Sequence, residues 1–380
     1  MRWRHWGIHF GVHEVTALEK KADYERLIRE FGAEPITDEI LSYFKDPHIL
    51  LRRRFFYAHR SLREYLDLHA KGHAVAIVSG RGPSNYMHLG HLMLFAFIFW
   101  LQKELKARVY IPLSDDEKYV FGKVKDLKEA YKYALDNALD ILALGFQEGR
   151  TFLYISTHTQ KVYEYATLLS RYLTYNTVKA TFGLSDSANA GTIFYAAVQA
   201  AHILMPTLEM GYPVLVPIGA DQDPYMRLTR DVADRVGLFK PAAIYSIYVR
   251  GLTGEPMSAS RPETCIFTKD EPEVIRKKIW RALTGGRASV KEQRELGGEP
   301  EKCVVFEWLS TYVFQDEKKI EQHYRACRSG EILCGDCKRL LAASLIKRLE
   351  EHRRKRKSLI DKLERFFIHD IGDVNEVLFP

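Results

Sequence analysis

Short β-branched runs that alternate with helical patterns constrain the fold of this chain more than any other feature. HAVAIVSG at 73–80 is apolar and ends in glycine, which is typical of a buried parallel strand. Four similar runs follow, namely RVYIPL from 108, TFLYIST at 151–157, YPVLVPIG from 212 and AAIYSIYV at 242–249. Segments with the roughly 3.6-residue period of helices separate them. The alternation predicts an α/β fold with a Rossmann-like, doubly wound parallel sheet.

The same pattern predicts a ligand cleft with helical regions on either side of the sheet-forming part. Ligands of such sheets bind beyond the carboxyl ends of the strands, where SGRGPSN, LSDDEK and IGADQD follow three of the runs. The periodicity before residue 73, as in DYERLIREFG, and after about 270 is helical. We therefore expect a helical N-terminal segment at 1–72, a Rossmann-like catalytic domain at 73–265 and an all-α domain at 266–380.

Composition predicts a soluble protein. Of the 380 residues, 46% are hydrophobic and 28% are charged, which is an ordinary globular balance. No apolar run reaches the ~18 residues that a membrane-spanning helix needs. The stretch MRWRHWGIHFG has cations but neither an apolar core nor a small-residue cleavage site, so it does not resemble a signal peptide. We expect a cytoplasmic location and no membrane partner.

Basic residues are concentrated near the C-terminus. The formal net charge is +7, and KRLEEHRRKRK at 347–357 holds seven Lys or Arg against two Glu. Such a run suits contact with the phosphates of a nucleic acid, but an isolated run is more often a solvated helix face. The run gains weight only if another feature indicates RNA.

The five cysteines do not by themselves predict a metal site. Cys327, Cys334 and Cys337 form C-x6-C-x2-C, while Cys265 and Cys303 stand alone in the sequence. Three ligands without a nearby fourth leave a structural zinc site incomplete. A local disulfide and inert packing remain open, and we predict no tightly bound metal with protein ligands.

HLGH places His88 and His91 three residues apart at the start of an apolar helix. Zinc binding would need a third ligand that the surrounding sequence does not supply. Core packing is a second interpretation. The third, which we favour, is phosphate binding, because a helix N-terminus after a strand offers free N–H groups and a positive dipole end. Gly90 would allow a flat ring to lie against this helix.

The loop GLTGEPMSAS at 251–260 is the second candidate segment. By itself it reads as a turn. It follows the last predicted strand, however, and the hydroxyls of Ser258 and Ser260 can donate to phosphate oxygens.

Together these segments resemble the class I aminoacyl-tRNA synthetases. PSNYMHLGH and PMSAS stand where that family has its HIGH and KMSKS signatures, and LSDDEKYVF, TFGLSDSANAG, AAVQAAH and IGADQDPYMRLTRDVADRVG lie between them. The order of these motifs and their residues resemble those of the tryptophanyl-tRNA synthetases of archaea and eukaryotes, from roughly Asp23 to Arg365. A tyrosyl-tRNA synthetase shares the fold and is the nearest alternative, and a non-catalytic, synthetase-like RNA-binding protein is a more distant one.

The resemblance implies a reaction and its partners. Tryptophan and ATP would give tryptophanyl-adenylate and pyrophosphate, and the acyl group would pass to the terminal adenosine of tRNA(Trp). Mg²⁺ is expected with the ATP phosphates. The family is a homodimer, for which the apolar helix His91–Leu105 and residues after 160 are candidate interface segments. The C-terminal helices correspond to the anticodon-binding domain, so Arg353, Arg354 and Arg356 become candidate tRNA contacts with salt-dependent affinity.

The resemblance also implies roles for single residues. His88, His91, Ser258 and Ser260 match positions that act on the ATP phosphates, and Arg81, on the turn before them, is a further candidate to hold phosphates. The full set of expected ATP-binding residues is Gly80, Arg81, Gly82, His88, Gly90, His91, Gly219, Asp221, Gln222, Met257, Ser258 and Ser260. The expected tryptophan-binding residues are Val78, Glu117, Tyr195, Gln199, Val216, Gln222 and Met226.

Two positions depart from the family pattern. Pro256 stands where the first signature lysine is usual, and we expect Arg81 or Lys118 to supply the missing cation. Val78 and Pro112 stand where relatives carry a Tyr and a Gln that read the indole N–H. A site that discriminates by this N–H needs a hydrogen-bond acceptor, which the sequence does not identify.

Overall fold

The computed structural model describes residues 26–378, in two compact units. One, the sheet unit, comprises Gly32–Met87, His91–Ile247 and residues from Lys355 onward. The other, the helical unit, comprises residues up to Phe31 together with His88–Gly90 and Tyr248–Arg354. The stretch MRWRHWGIHFG, expected not to be a signal peptide, lies outside the described residues. No helix within 26–378 is both long and apolar enough to cross a membrane.

The sheet unit is built on a seven-stranded sheet in which the predicted parallel strands form one continuous block. The strands in chain order are β1 Glu34–Pro35, β2 Phe56–Arg60, β3 Ala76–Val78, β4 Arg108–Leu113, β5 Thr151–Ile155, β6 Val214–Gly219 and β7 Ala242–Ser246. Their order across the sheet is β1-β2-β7-β6-β3-β4-β5. The neighbours from β7 to β5 all pair in parallel, as the alternation of strands and helices predicts.

The first two strands make the sheet mixed. β1 pairs with β2 and β2 pairs with β7, both antiparallel. The helical periodicity before residue 73 predicted helix at residues 56–60, and there this prediction was wrong. All five residues of β2 are buried, including His59 and Arg60, so burial here reflects strand pairing rather than one face of a helix.

Helices fill the connections between strands and form the C-terminal region. In chain order they are α1 Asp38–Ser42, α2 Ile49–Arg52, α3 Leu62–Ala70, α4 Leu89–Leu105, α5 Asp115–Val120, α6 Leu127–Leu142, α7 Gln160–Ser170, α8 Tyr175–Phe182, α9 Ala190–Met210, α10 Asp223–Val236, α11 Pro272–Trp280, α12 Val290–Leu296, α13 Val304–Trp308, α14 Glu317–Arg328, α15 Cys334–Lys357 and α16 Val374–Leu378. The strand-to-helix order after β3 is the predicted doubly wound pattern, and residues after 270 are helical as expected.

A buried ion pair fixes the start of α10 against the antiparallel part of the sheet. Arg60, at the end of β2, donates from Nε to Asp223 Oδ1 at 2.7 Å and from Nη2 to Oδ2 at 3.0 Å. The Tyr245 hydroxyl on β7 donates to the same Oδ1 at 2.7 Å. Arg227 Nε donates to Oδ2 as well, at 3.0 Å, so Asp223 accepts four hydrogen bonds, as a buried carboxylate requires. The turn that ends at Gln222 is held in place by this pair.

Candidate active site

The loop after β3 is organised by the half-buried Arg81. Arg81 donates its backbone N–H to Pro112 O at 2.8 Å, and its guanidinium reaches Asn137 Oδ1 at 2.8 Å and Gly82 O at 2.6 Å. Burial lowers the pKa of Arg81 to about 10, against the opposing effect of the Glu117 carboxylate. The guanidinium therefore donates to the loop and to Asn137, and Arg81 fixes the shape of the loop after β3.

Glu117 and Lys118 lie against the same loop. Lys118 Nζ donates to Glu117 Oε1 at 2.7 Å in a half-buried ion pair. A Cβ at residue 82 would collide with the Lys118 side chain and would come within 2.8 Å of Glu117 Oε2. Glycine at position 82 thus lets a cation and a carboxylate sit directly against the backbone. The structure brings Gly80, Arg81, Gly82 and Glu117, all expected site residues, into one neighbourhood.

Asp116, next to this pair, is half-buried, and its Oδ1 atom is enclosed. Burial raises its pKa to about 6, and the neighbouring Asp115 carboxylate acts in the same direction. The Tyr163 hydroxyl donates to Asp116 Oδ2 at 3.2 Å. The charges of both Glu117 and Asp116 also raise the pKa of Tyr195, after burial as the main cause, so these carboxylates lie near the expected indole wall. Sequence reasoning passed over Asp116, although it stands in the motif LSDDEK.

The remaining expected tryptophan contacts lie on the central strands and their helices. Tyr195, on α9, is only 8% exposed and packs edge-to-face on Phe121 with ring centroids 5.9 Å apart. Val78 and Val216 are buried on the neighbouring strands β3 and β6. Gln199 on α9 and Met226 on α10 are respectively half-buried and buried. This part of the sheet unit therefore offers apolar walls and a small number of polar side chains, as ligand sites do.

The turn after β6 carries three expected ATP-binding residues. β6 ends at Gly219, a single helical turn spans Ala220–Gln222, and α10 begins at Asp223. The Gln222 amide donates to the exposed Asp221 carboxylate at 2.8 Å. The carboxyl ends of β3, β4 and β6 thus carry the three segments that the sequence predicts at the edge of a cleft.

In the helical unit, His88 and Gly90 contact each other at the start of α4. His88 is 6% exposed, and its Nδ1 accepts from the Gly90 N–H at 3.2 Å. A Cβ at position 90 would meet the His88 imidazole at 3.1 Å and Met257 Sδ at 3.4 Å. Gly90 therefore permits a close approach between the HLGH segment and the PMSAS loop. His91, one residue further along α4, is half-buried.

The PMSAS loop gathers its own hydroxyls and a cation that sequence reasoning missed. Ser258 Oγ lies 2.9 Å from Ser260 Oγ, and the Ser258 N–H donates to Thr264 Oγ1 at 3.0 Å. Arg261, directly after the loop, forms an ion pair with Glu255, directly before Pro256. A search for the KMSKS lysine does not find Arg261, because the positive charge of Arg261 follows Ser258 and Ser260 in the sequence, whereas the first signature lysine precedes the serine.

The three arginines of the basic run have different surroundings. Arg356 is buried in ion pairs with Asp136 and Asp140, the second at 2.9 Å. Arg353 donates to the backbone oxygen of Asp270 at 2.9 Å. Arg354 is exposed. Of the three candidate tRNA contacts, Arg354 is therefore the one whose side chain faces solvent.

Comparison with known proteins gives the same family along nearly the whole chain. Residues 70–350 match the family described as tRNA synthetases class I (W and Y). The chain belongs to this class I tRNA synthetase family. This synthetase is 43% identical over 357 residues to a tryptophan–tRNA ligase of Thermococcus onnurineus, covering 92% of each chain. It is 42% identical over 354 residues to that of Pyrobaculum calidifontis, covering 91% of this chain and 94% of the relative.

Solved structures agree with the sequence relatives. The synthetase superposes on a tryptophanyl-tRNA synthetase from Aeropyrum pernix with a TM-score of 0.86 at 35% identity, covering 93% of this chain and 98% of the other. An enzyme of the same name from Encephalitozoon cuniculi, solved bound to tryptophan, gives 0.82 at 30% identity, covering 92% and 98%. The expected Rossmann-like class I fold is thereby confirmed.

The raised pKa of Asp116 predicts a pH-dependent gain in stability for Asp116→Asn. The folded state favours the protonated carboxyl, so wild type loses stability as the pH rises from about 4 through about 6. Two pKa units correspond to about 3 kcal/mol. Asp116→Asn should exceed wild type by up to that amount in free energy of unfolding at pH 8, and the gap should close by pH 4. Asp231→Asn, at an exposed position on α10, is the control; equal curves for wild type and Asp116→Asn would contradict the buried-carboxylate account.

Proposed function

We propose that the protein is a tryptophan–tRNA ligase. The observation that carries this proposal is the 43% identity to an archaeal tryptophan–tRNA ligase over 92% of both chains. The tryptophan carboxylate attacks the α-phosphorus of ATP, forming the acyl–phosphate bond as the bond to pyrophosphate breaks. The tryptophanyl group then passes to the terminal adenosine of tRNA(Trp). No enzyme nucleophile takes part, so the protein acts by positioning and by stabilising charge.

The ATP contacts are proposed for two groups of residues. In the helical unit, His88, Ser258 and Ser260 offer donors to phosphate oxygens, and Gly90 and Met257 accommodate the adenine. In the sheet unit, Gly80, Gly82, His91, Gly219, Asp221 and Gln222 complete the set. Donors aimed at charge that develops on the leaving pyrophosphate are the main catalytic resource of such a site. Mg²⁺ is proposed to accompany ATP and to neutralise part of its phosphate charge.

Glu117 and Asp116 are proposed to select the amino acid. The Glu117 carboxylate is suited to the substrate ammonium, because opposite charges in a partly buried site bind strongly. Asp116 lies near Tyr195 and supplies the acceptor for the indole N–H that Val78 and Pro112 do not offer. Gln199 and Gln222 are proposed polar contacts, and Tyr195, Val216 and Met226 are proposed apolar walls.

Lys118 is proposed to replace the lysine that is missing at Pro256. Its ammonium lies against Gly82 and Glu117. Arg81, the other expected substitute, already donates to Asn137 and Gly82. Arg261 is a second cation available to the PMSAS loop, and its pairing with Glu255 leaves it about half exposed.

The tRNA contacts, the assembly and the location of the protein are further parts of this proposal. The region 266–380 is proposed as the anticodon-binding domain, with Arg354 as the leading phosphate contact of the basic run. A homodimer is proposed, because α7 and α9 expose large apolar side chains at Leu168, Phe194 and Met210. We propose that the enzyme works in the cytoplasm, where tRNA is charged.

Amino-acid-dependent ATP–pyrophosphate exchange tests the proposed specificity directly. We expect tryptophan to drive exchange and tyrosine to drive at least about 100-fold less, since a buried polar site rejects a substrate that leaves its groups unpaired. The reaction without amino acid is the background. Exchange driven by tyrosine would identify a tyrosyl enzyme, and no exchange with any amino acid would indicate a non-catalytic protein.

Replacing Lys118 tests the substitute cation. Loss of one donor to a developing oxyanion commonly lowers kcat about 10²-fold, so Lys118→Ala should lower the exchange rate by that order. Lys118→Arg should recover part of it, because the charge is kept. Lys123→Ala, at an exposed position after α5, is the control. A full rate in Lys118→Ala together with a slow Arg261→Ala would move the role to the PMSAS loop.

A tryptophan analogue with sulfur in place of the indole N–H tests the role of Asp116. A hydrogen bond to a charged group is worth about 1.5–3 kcal/mol, so wild type should prefer tryptophan by about 10- to 100-fold in kcat/KM. Asp116→Ala should reduce that preference to nearly equal values, whereas Asp231→Ala should keep it. A preference that survives in Asp116→Ala would show that another group reads the N–H.

A further inference from the structure

Four of the five cysteines, which the sequence scatters, line a single pocket in the helical unit. The pocket is bounded by Cys303, Cys327, Cys334 and Cys337, together with the imidazole of His323 and an apolar rim. Sequence reasoning saw only three of them as a group, because Cys303 lies well before the C-x6-C-x2-C segment. All five thiols of the chain are free, so the local disulfide left open by the sequence is not formed.

Three helices bring the four thiols together. Cys303 is the N-cap of α13, Cys327 lies in the last turn of α14, and Cys334 and Cys337 lie in the first turn of α15. The N-terminus of α15, a helix of 24 residues, therefore lies at this pocket, and its positive dipole end favours negative charge on sulfur. The Phe306 N–H donates to Cys303 Sγ at 3.4 Å, and His323 Nε2 lies 3.3 Å from Cys337 Sγ.

Glycines allow the backbone to press against two of the sulfurs. A Cβ at Gly286 would lie 2.5 Å from Cys334 Sγ, and one at Gly298 would lie 2.9 Å from Cys327 Sγ. Any side chain at these positions would push the thiols aside. The backbone at Gly286 and Gly298 therefore lies close to the sulfurs of Cys334 and Cys327.

The four thiols line one small pocket whose other lining residues include Val305, Phe306, Ile332 and Leu333. A cationic centre between the sulfurs would hold them as thiolates, because coordination to a metal deprotonates a thiol.

We propose that Cys303, Cys327, Cys334 and Cys337 hold an iron–sulfur cluster in the helical unit. Four cysteine thiolates are the usual ligands of a [4Fe–4S] centre. A single zinc ion would need four sulfurs at about 2.3 Å from one point. Within residues 26–378 no three His, Cys, Asp or Glu side chains are gathered in that way. In a [4Fe–4S] centre each sulfur binds a different iron at one corner, so the four thiols that line the pocket need not converge on one point.

Charge and electrons balance when the cluster assembles from iron and sulfide, and the protein does not have to supply an electron. Two Fe²⁺, two Fe³⁺ and four sulfide ions give a core of charge 2+. Four thiols lose four protons to solvent as four Fe–S bonds form, so the bound centre carries a charge of 2−. Val305, Phe306, Ile332 and Leu333 line the pocket and would exclude water from it. The cluster would join α13, α14 and α15 and so stabilise the unit that holds the PMSAS loop.

The full-length protein, purified without oxygen, tests the proposal by its metal content. We expect about four iron and about four acid-labile sulfide per chain, a brown colour with broad visible absorption, and an electron paramagnetic resonance signal after reduction with dithionite. If iron is absent after purification, the protein is treated with ferrous and ferric iron and sulfide under the same conditions. Absence of iron after that treatment, or about one zinc per chain in its place, would overturn the cluster.

Serine variants separate a cluster held by these four thiols from iron bound elsewhere. Cys303→Ser, Cys327→Ser, Cys334→Ser and Cys337→Ser should each lose most of the iron and the visible absorption. Cys265→Ser is the matched control, because Cys265 is buried in the same unit but does not line the pocket, and it should keep both. Iron retained in Cys334→Ser, or lost equally in Cys265→Ser, would contradict the assignment.

A measurement on unmodified protein keeps the test valid if a serine variant fails to fold. Oxidation with ferricyanide in the presence of a chelator should remove the iron, bleach the absorption and lower the melting temperature. Four thiols that the cluster had shielded should then become reactive, whereas the buried Cys265 should stay unreactive, and reconstitution should restore the melting temperature. An unchanged melting curve and thiol count after this treatment would count against a cluster at this place.

Discussion

The ion pair between Arg60 and Asp223 is the interaction on which the arrangement of the sheet unit depends most. It joins the end of an antiparallel strand to the first residue of α10, and the Tyr245 hydroxyl completes it from β7. Removing one partner of a buried pair typically costs about 3–5 kcal/mol, because the other charge stays buried without compensation. The turn Gly219–Gln222 ends where this pair begins, so the geometry of a proposed substrate loop rests on a contact outside the substrate site.

Much of the fold followed from the sequence because parallel strands and their helices have distinct periods. The runs at 73–80 and 242–249 contain β3 and β7, and the helices between the strands follow the amphipathic spacing. β2 escaped prediction because its five residues are all buried. A fully buried run shows no alternation of buried and exposed residues that would distinguish a strand from a helix. Its pairing with β7 joins segments that are far apart in the sequence, so the local pattern does not predict it.

The candidate site was less predictable than the fold, because side-chain partners come from distant segments. The sequence identified Arg81 and Arg356 as cations, but it could not show that Asn137 and the acidic pair of α6 engage them. The same limit applied to Cys303, which joins the other cysteines only after three helices pack together. Sequence motifs identified candidate residues at helix starts and in loops. The tertiary structure determines which of these side chains are already paired and which can contact a ligand.

The pairing of Glu117 with Lys118 links the two substrates of the proposed reaction. Lys118 Nζ lies 2.7 Å from Glu117 Oε1 and neutralises much of the carboxylate's charge, so an incoming ammonium would compete with the lysine for Glu117. An amino acid that takes Glu117 would therefore release Lys118 toward the phosphates beside Gly82. Without an amino acid, Lys118 would stay paired with Glu117 and would stabilise the ATP phosphates of the proposed site less. Glu117 and Lys118 would thus limit the hydrolysis of ATP by water until the amino acid to be activated has bound.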